Sequence, residues 1–253
     1  MAPDPGENPP MSDHRKPPRK TDRAAPPAEQ ADVDAFLAAV RARPPAPIGR
    51  RGRLLFALDA TASRQPTWDR AADLTARMFE AADAVGGLDL RLCFFRGFRE
   101  FRASGWHASA PPLQKAMASV RCAAGRTQIE RVLDHAVEQT RRDRLGALVY
   151  VGDCFEEDAD RACARAGELG LLGTPIFVFQ EQRALLDPTA GAVFRQVARA
   201  SGGAWARFDA GAAARLEALL RAVAVYAAGG PAALEDLARR DAPAAALLED
   251  LRR

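Results

Sequence analysis

The chain has 253 residues, 48% of them hydrophobic and 27% charged, with a formal net charge of +3. That is enough for one domain of about 200 residues or two smaller ones, and the charged fraction is close to the ordinary globular value of about 25%. Wholesale disorder, a collagen-like chain and a disulfide-stapled miniprotein are excluded, and so weak a charge bias gives no reason to expect a nucleic-acid face.

Eleven of the 18 prolines lie before residue 50. Residues 1–30 carry almost no aromatic or β-branched side chains, so they cannot bury enough apolar surface to offset their ordering entropy and are expected to form a disordered tail. The N-terminus has no apolar stretch of signal-peptide type, and no run of about 18 apolar residues follows anywhere. The expected location is therefore the cytoplasm, with no membrane contact. In 31–50, Val33, Phe36, Leu37 and Val40 fall at helical spacing behind Asp32, a short amphipathic helix ended by Pro44, Pro45 and Pro47.

The folded domain is expected over 51–228. Arg53–Asp59 (RLLFALD) is a continuous apolar run ending in Asp, the pattern of a strand buried on both faces. Pro66–Val85 has helical spacing and stops at Gly86-Gly87. Leu88–Phe95 and Phe98–Ser104, joined by the Arg96-Gly97 turn, are too close for a crossover and predict an antiparallel hairpin. Helices are predicted at Pro111–Val120 and Thr127–Arg141, a buried strand at Leu145–Asp153, and a helix at Asp158–Leu172. A strand at Thr174–Gln180, a helix at Thr189–Ser201, a strand at Ala204–Asp209 and a helix at Ala212–Ala227 complete the domain. Residues 229–253 read as a helical tail interrupted near Pro243. This order predicts an α/β fold: an open, mostly parallel, doubly wound sheet with one antiparallel edge strand and helices on both faces.

Ligands of such sheets sit beyond the carboxyl ends of the strands. The first strand delivers Asp59, Thr61 and Ser63 there, alternate residues that one loop can turn to a single point. The Leu145–Asp153 strand delivers Asp153, and Thr127 opens a helix nearby. Two carboxylates and three hydroxyls suit a hard, octahedral cation, Mg²⁺ or Mn²⁺. Cys93, Cys122, Cys154 and Cys163 form no CxxC pair and only three His are present, so a thiolate zinc site is not expected. Glu156, Glu157 and Asp158 read as a solvated helix N-terminus. Arg64, Arg96, Arg99 and Phe155 are expected around the rim, where they would favour an acidic partner loop, and Trp68 in the core.

These motifs resemble the von Willebrand factor type A (VWA) family, whose metal-ion-dependent adhesion site (MIDAS) uses Asp-x-Ser-x-Ser, a distant Thr and a further Asp. LLFALDATASR supplies Asp59, Thr61 and Ser63; AAGRTQIERVL supplies Thr127; LVYVGDCFEE supplies Asp153. The resemblance covers about residues 53–226 and is closest to a bacterial cytoplasmic-type member. It implies a module that binds a protein partner through its metal, the partner offering a Glu or Asp, without catalysis. Three departures stand out: Thr61 for the first Ser, Ala62 where Gly is common, and Cys154 after Asp153 where Gly is usual.

Two enzyme readings compete. A haloacid-dehalogenase type needs a second Asp two residues after Asp59, where this chain has Thr61. A cysteine amidohydrolase of the isochorismatase-like type would use Asp59, Lys115 and Cys154, which stand in the required order, with Cys154 just past a strand end. No GxGxxG follows the first strand and no GxxxxGK[ST] occurs, so nucleotide binding is not expected.

Overall fold

The structure is a computed structural model and describes residues 51–83, 85–182, 188–209 and 213–240. The first apolar run forms β1 (Gly52–Asp59) at the centre of a six-stranded sheet. Then come α1 (Gln65–Asp83), β2 (Leu88–Arg96), β3 (Glu100–His107), α2 (Ala110–Ala118) and α3 (Ile129–Arg142). β4 (Ala147–Gly152), α4 (Ala159–Leu171), β5 (Ile176–Gln182), α5 (Pro188–Ala200), β6 (Ala204–Asp209) and α6 (Ala213–Arg240) follow. The strand order is β3-β2-β1-β4-β5-β6, all parallel except the edge strand β3. This is the doubly wound sheet with one antiparallel edge strand expected from the sequence.

Strand alternation divides the interior into two cores. Leu54, Phe56 and Leu58 of β1 face a layer containing Trp68, Met78, Leu113 and Leu220, from α1, α2 and α6. Leu55 and Ala57 face the opposite layer, with Val132, Leu133, Ala166 and Phe194 from α3, α4 and α5. Both faces of β1 are covered, which is why its sequence is an unbroken apolar run.

Element boundaries moved where local chemistry decided them. β3 begins two residues later than predicted, because Gly97, at φ 59°, opens a turn that also takes up Phe98 and Arg99. α3 begins at Ile129, so Thr127 lies in the preceding loop. α6 runs to Arg240 as two helical stretches meeting at Gly230, whose φ of 72° and ψ of −168° are not helical. The expected N-terminal tail, the short helix of 31–50 and residues 241–253 lie outside the described residues. Among the described residues, no helix is long and apolar enough to cross a membrane.

Phe56 is fully buried at the sheet centre, so Phe56→Ala is expected to lose about 3–5 kcal/mol in urea unfolding. Leu171, 93% exposed, is the control: Leu171→Ala is expected to stay within about 0.5 kcal/mol of wild type.

Candidate metal centre

β1 and β4 are adjacent parallel strands with Leu58 opposite Val151, so both chains leave the sheet at the same edge. Asp59 and the Asp153-Cys154 pair therefore meet beyond that edge. One carboxylate oxygen of each Asp and the Cys154 sulfur lie within 4.8 Å of one another. Asp59 is 1% exposed and Asp153 4%. Asp59 Oδ1 accepts the Thr61 N–H at 2.8 Å, while its Oδ2 is buried with no hydrogen-bond partner. Burial pushes the Asp59 carboxyl up to about 6, and the Asp153 charge adds to this. Hydrogen bonds from Thr61 and the Arg64 charge act in the opposite direction. The Tyr150 hydroxyl is likewise buried without a partner, and burial followed by the Asp59 charge raises it well above the usual phenol value. A buried acceptor without a donor costs free energy that a cation would recover, so these residues fit a divalent ion.

The remaining ligands expected from the sequence surround this pair unevenly. Thr61 precedes a 3-10 turn over Ala62–Arg64, closed by the Arg64 N–H to Thr61 O at 2.9 Å. The Ser63 backbone lies in that turn; its side chain is outside the described residues. Thr127 is buried, and its hydroxyl accepts the Glu156 N–H at 3.0 Å while its own N–H donates to Glu156 Oε2 at 3.1 Å. This two-way clasp ties Thr127 to the segment that carries Asp153. The Thr127 loop is held to β1 by the Ala123 N–H donating to Ala60 O at 3.0 Å. It also crosses the β2–β3 turn so closely that a Cβ at Gly125 would lie 1.9 Å from Gly97 O.

Two expectations are corrected. Glu156 is exposed as expected, but neither it nor Glu157 caps the helix that follows them. Glu157 accepts the Ile129 and Glu130 N–H groups at 2.5 and 3.0 Å, capping α3, and only Asp158 caps α4, through the Arg161 N–H at 3.0 Å. The cause is that α3 lacks a cap of its own: Gln128 makes no capping bond, so the orphan donors draw carboxylates from the neighbouring loop. Arg64 is not on the rim. It is 1% exposed, pairs with Glu181, and places a guanidinium nitrogen 3.7 Å from Asp153 Oδ2. Glu181 also accepts from the Thr67 hydroxyl at 2.7 Å. This network beside the centre was missed; the available signal was Glu181 itself, a charged residue between Gln180 and Gln182 at the end of a strand that opens as an apolar run. Trp68 is in the core as expected, its Nε1 donating to Met117 O at 3.1 Å. Arg96 pairs with Glu100 at 2.8 Å, Arg99 is exposed, and Phe155 packs against Phe194.

The amidohydrolase constellation finds little support. Burial pushes the Cys154 thiol up to about 12, with the Asp153 and Asp59 charges adding to the effect, whereas a nucleophile needs the opposite shift. Lys115 is exposed on α2, which packs on α1 and the edge strand β3, three strands away from β4.

No protein-family model matches the chain, and no curated protein matches it in sequence. Solved structures do match its fold. An aerotolerance-related membrane protein from Bacteroides fragilis aligns with a TM-score of 0.52 at 16% identity, over 68% of this chain and 98% of that one. A von Willebrand factor type A protein from Catenulispora acidiphila aligns with a TM-score of 0.52 at 14% identity, over 70% of this chain and 43% of that one. Proximal thread matrix protein 1 from the mussel byssus, a structure with a zinc-occupied MIDAS motif, aligns with a TM-score of 0.53 at 12% identity, over 71% of this chain and 46% of that one. The fold is therefore that of a VWA domain. The chain spans less than half the length of the last two proteins.

Arg64→Ala is expected to cost about 3–5 kcal/mol in denaturant unfolding, because it leaves Glu181 and Asp153 buried without their cation. Adding Glu181→Gln is expected to restore part of that loss. A second expectation concerns pH in the metal-free protein. Asp59 titrates near 6 when folded against an ordinary 3.8, so its contribution is most favourable below pH 3.8 and is lost as pH rises through 6. The loss is roughly 3 kcal/mol. Asp59→Asn is expected to remove that segment of the stability–pH curve, measured as the difference from wild type.

Proposed function

We propose that this protein is a metal-dependent protein-binding module that acts without catalysis. Asp59 and Asp153 hold a divalent cation, with the hydroxyls of Thr61, Ser63 and Thr127 as further oxygen ligands. One coordination position is left open for a Glu or Asp side chain of a protein partner. The observation that carries this reading is the buried, unpartnered Asp59 Oδ2 in a cluster of ligand atoms at the carboxyl edge of the sheet. The VWA fold supports it, as does the zinc-occupied MIDAS motif of one protein with that fold. The partner's carboxylate gains a charge-assisted bond in a partly dry setting, which favours specificity over bulk affinity. The oxygen ligands taken alone select Mg²⁺ or Mn²⁺. Neither nucleic acid nor a membrane is part of this proposal.

The test is thermal unfolding of the chelator-stripped protein with and without added divalent cations. A cation that binds only the folded state adds RT ln(1 + [L]/Kd), about 2.7 kcal/mol at 100 times Kd. A cation-dependent rise is expected for wild type, and its loss in both Asp59→Ala and Asp59→Asn. A wild-type protein indifferent to every divalent cation would sink the reading.

A further inference from the structure

We propose that Cys154 is a ligand of this centre and that its thiolate makes the site select Zn²⁺ over Mg²⁺. The inference rests on the metal-centre reading above and goes beyond it in naming a ligand outside the resemblance and a different ion. No two cysteines are spaced to share a metal, so spacing alone points to no thiolate site. The fold supplies one by another route, setting a single cysteine between two carboxylates that arrive from different strands.

Two independent observations converge on the same point. The Cys154 sulfur lies within 4.8 Å of a carboxylate oxygen of both Asp59 and Asp153. Separately, Asp59 Oδ2 is buried in this cluster with no donor. Among the described residues, Cys154 is the one thiol whose sulfur joins both acids. Cys93 belongs to the apolar core between the sheet and α3–α5.

The donor set then decides the ion. Mg²⁺ requires near-octahedral oxygen coordination and discriminates against sulfur. Zn²⁺ accepts Cys sulfur at about 2.3 Å and Asp oxygen at about 2.0–2.2 Å in a tetrahedron. Such a tetrahedron has ligand–ligand edges of roughly 3.5 Å, so side-chain rotations of about 1 Å close the cluster. Two Asp oxygens and one sulfur fill three corners, the hydroxyls of Thr61, Ser63 and Thr127 then standing around the ion rather than on it, and the fourth corner stays open for the partner's carboxylate. On binding, the Zn–S bond forms as the S–H bond breaks. The thiol proton leaves to solvent, and no electron changes hands.

The test uses the full chain, stripped with chelator and kept reduced. Zn²⁺, Mn²⁺ and Mg²⁺ are titrated separately against wild type, Cys154→Ser, Cys122→Ser and Asp59→Asn, and Co²⁺ is added as a spectroscopic substitute. Wild type is expected to bind one Zn²⁺ at least roughly 100-fold more tightly than Mg²⁺. Cys154→Ser is expected to weaken Zn²⁺ by about 10-fold or more, to change Mg²⁺ affinity little, and to remove the sulfur-to-cobalt charge-transfer band. Cys122→Ser is expected to keep that band, and Asp59→Asn to weaken every cation. Unchanged Zn²⁺ affinity in Cys154→Ser, or a cobalt spectrum without a sulfur band, overturns the assignment of Cys154 while leaving an oxygen-ligated centre standing. Failure of every cation to bind wild type overturns both readings together.

Discussion

Two carboxylates buried side by side are the constraint around which the rest of this molecule is arranged. Asp59 and Asp153 leave adjacent parallel strands at one edge of the sheet, and both are almost fully removed from solvent. Neighbouring buried acids repel and are poorly solvated, so the fold must supply counter-charge, donors or protons. All three are visible. Arg64 lies 3.7 Å from Asp153, the Thr61 N–H binds Asp59, and the Asp59 carboxyl is raised to about 6. What these devices leave unsatisfied is one Asp59 oxygen, the atom a bound cation would take.

The loops around the pair are fixed by contacts that carry little apolar burial. The Thr127 loop is fastened to β1 through Ala60, to the β2–β3 turn through Gly97, and to the Asp153 segment through Glu156. Glu157 meanwhile closes the open end of α3. One acidic run thus caps a helix, positions a threonine and follows directly on a candidate ligand. Because these bonds link different elements, the edge of the sheet is preorganised before anything binds, which lowers the entropic cost of association.

Much of this was legible in the sequence, for identifiable reasons. β1 reads as an apolar run because both its faces are covered, and the hairpin is forced because the connection around Gly97 is too short for a crossover. Asp59 and Asp153 stand out because they close apolar strands, the kind of local conflict that marks functional positions. The part that stayed hidden depends on long-range pairing. Arg64 looks like a surface residue until β5 brings Glu181 to it, and Glu157 looks like part of its own helix start until α3 arrives without a cap of its own. Cys154 carried no spacing to another Cys or to a His, and only the pairing of β1 with β4 brings Asp59 to the Asp153-Cys154 pair.

The environment of Cys154 and Tyr150 bears on what kind of centre this is. Both carry groups that enzymes use as nucleophile or acid, and in both cases burial together with the neighbouring acids pushes the pKa upward. A thiol held protonated near 12 is a poor nucleophile at neutral pH, and a phenol raised well above its usual value is a poor proton donor. Only a positive charge placed among these groups reverses that trend, and Arg64 is already occupied by Glu181 and Asp153. The same electrostatics that disfavour covalent chemistry in the metal-free protein therefore favour cation capture. A divalent ion would lower the cost of Asp59, Asp153 and a Cys154 thiolate together, and the affinity it gained would be the repulsion the fold has held in place.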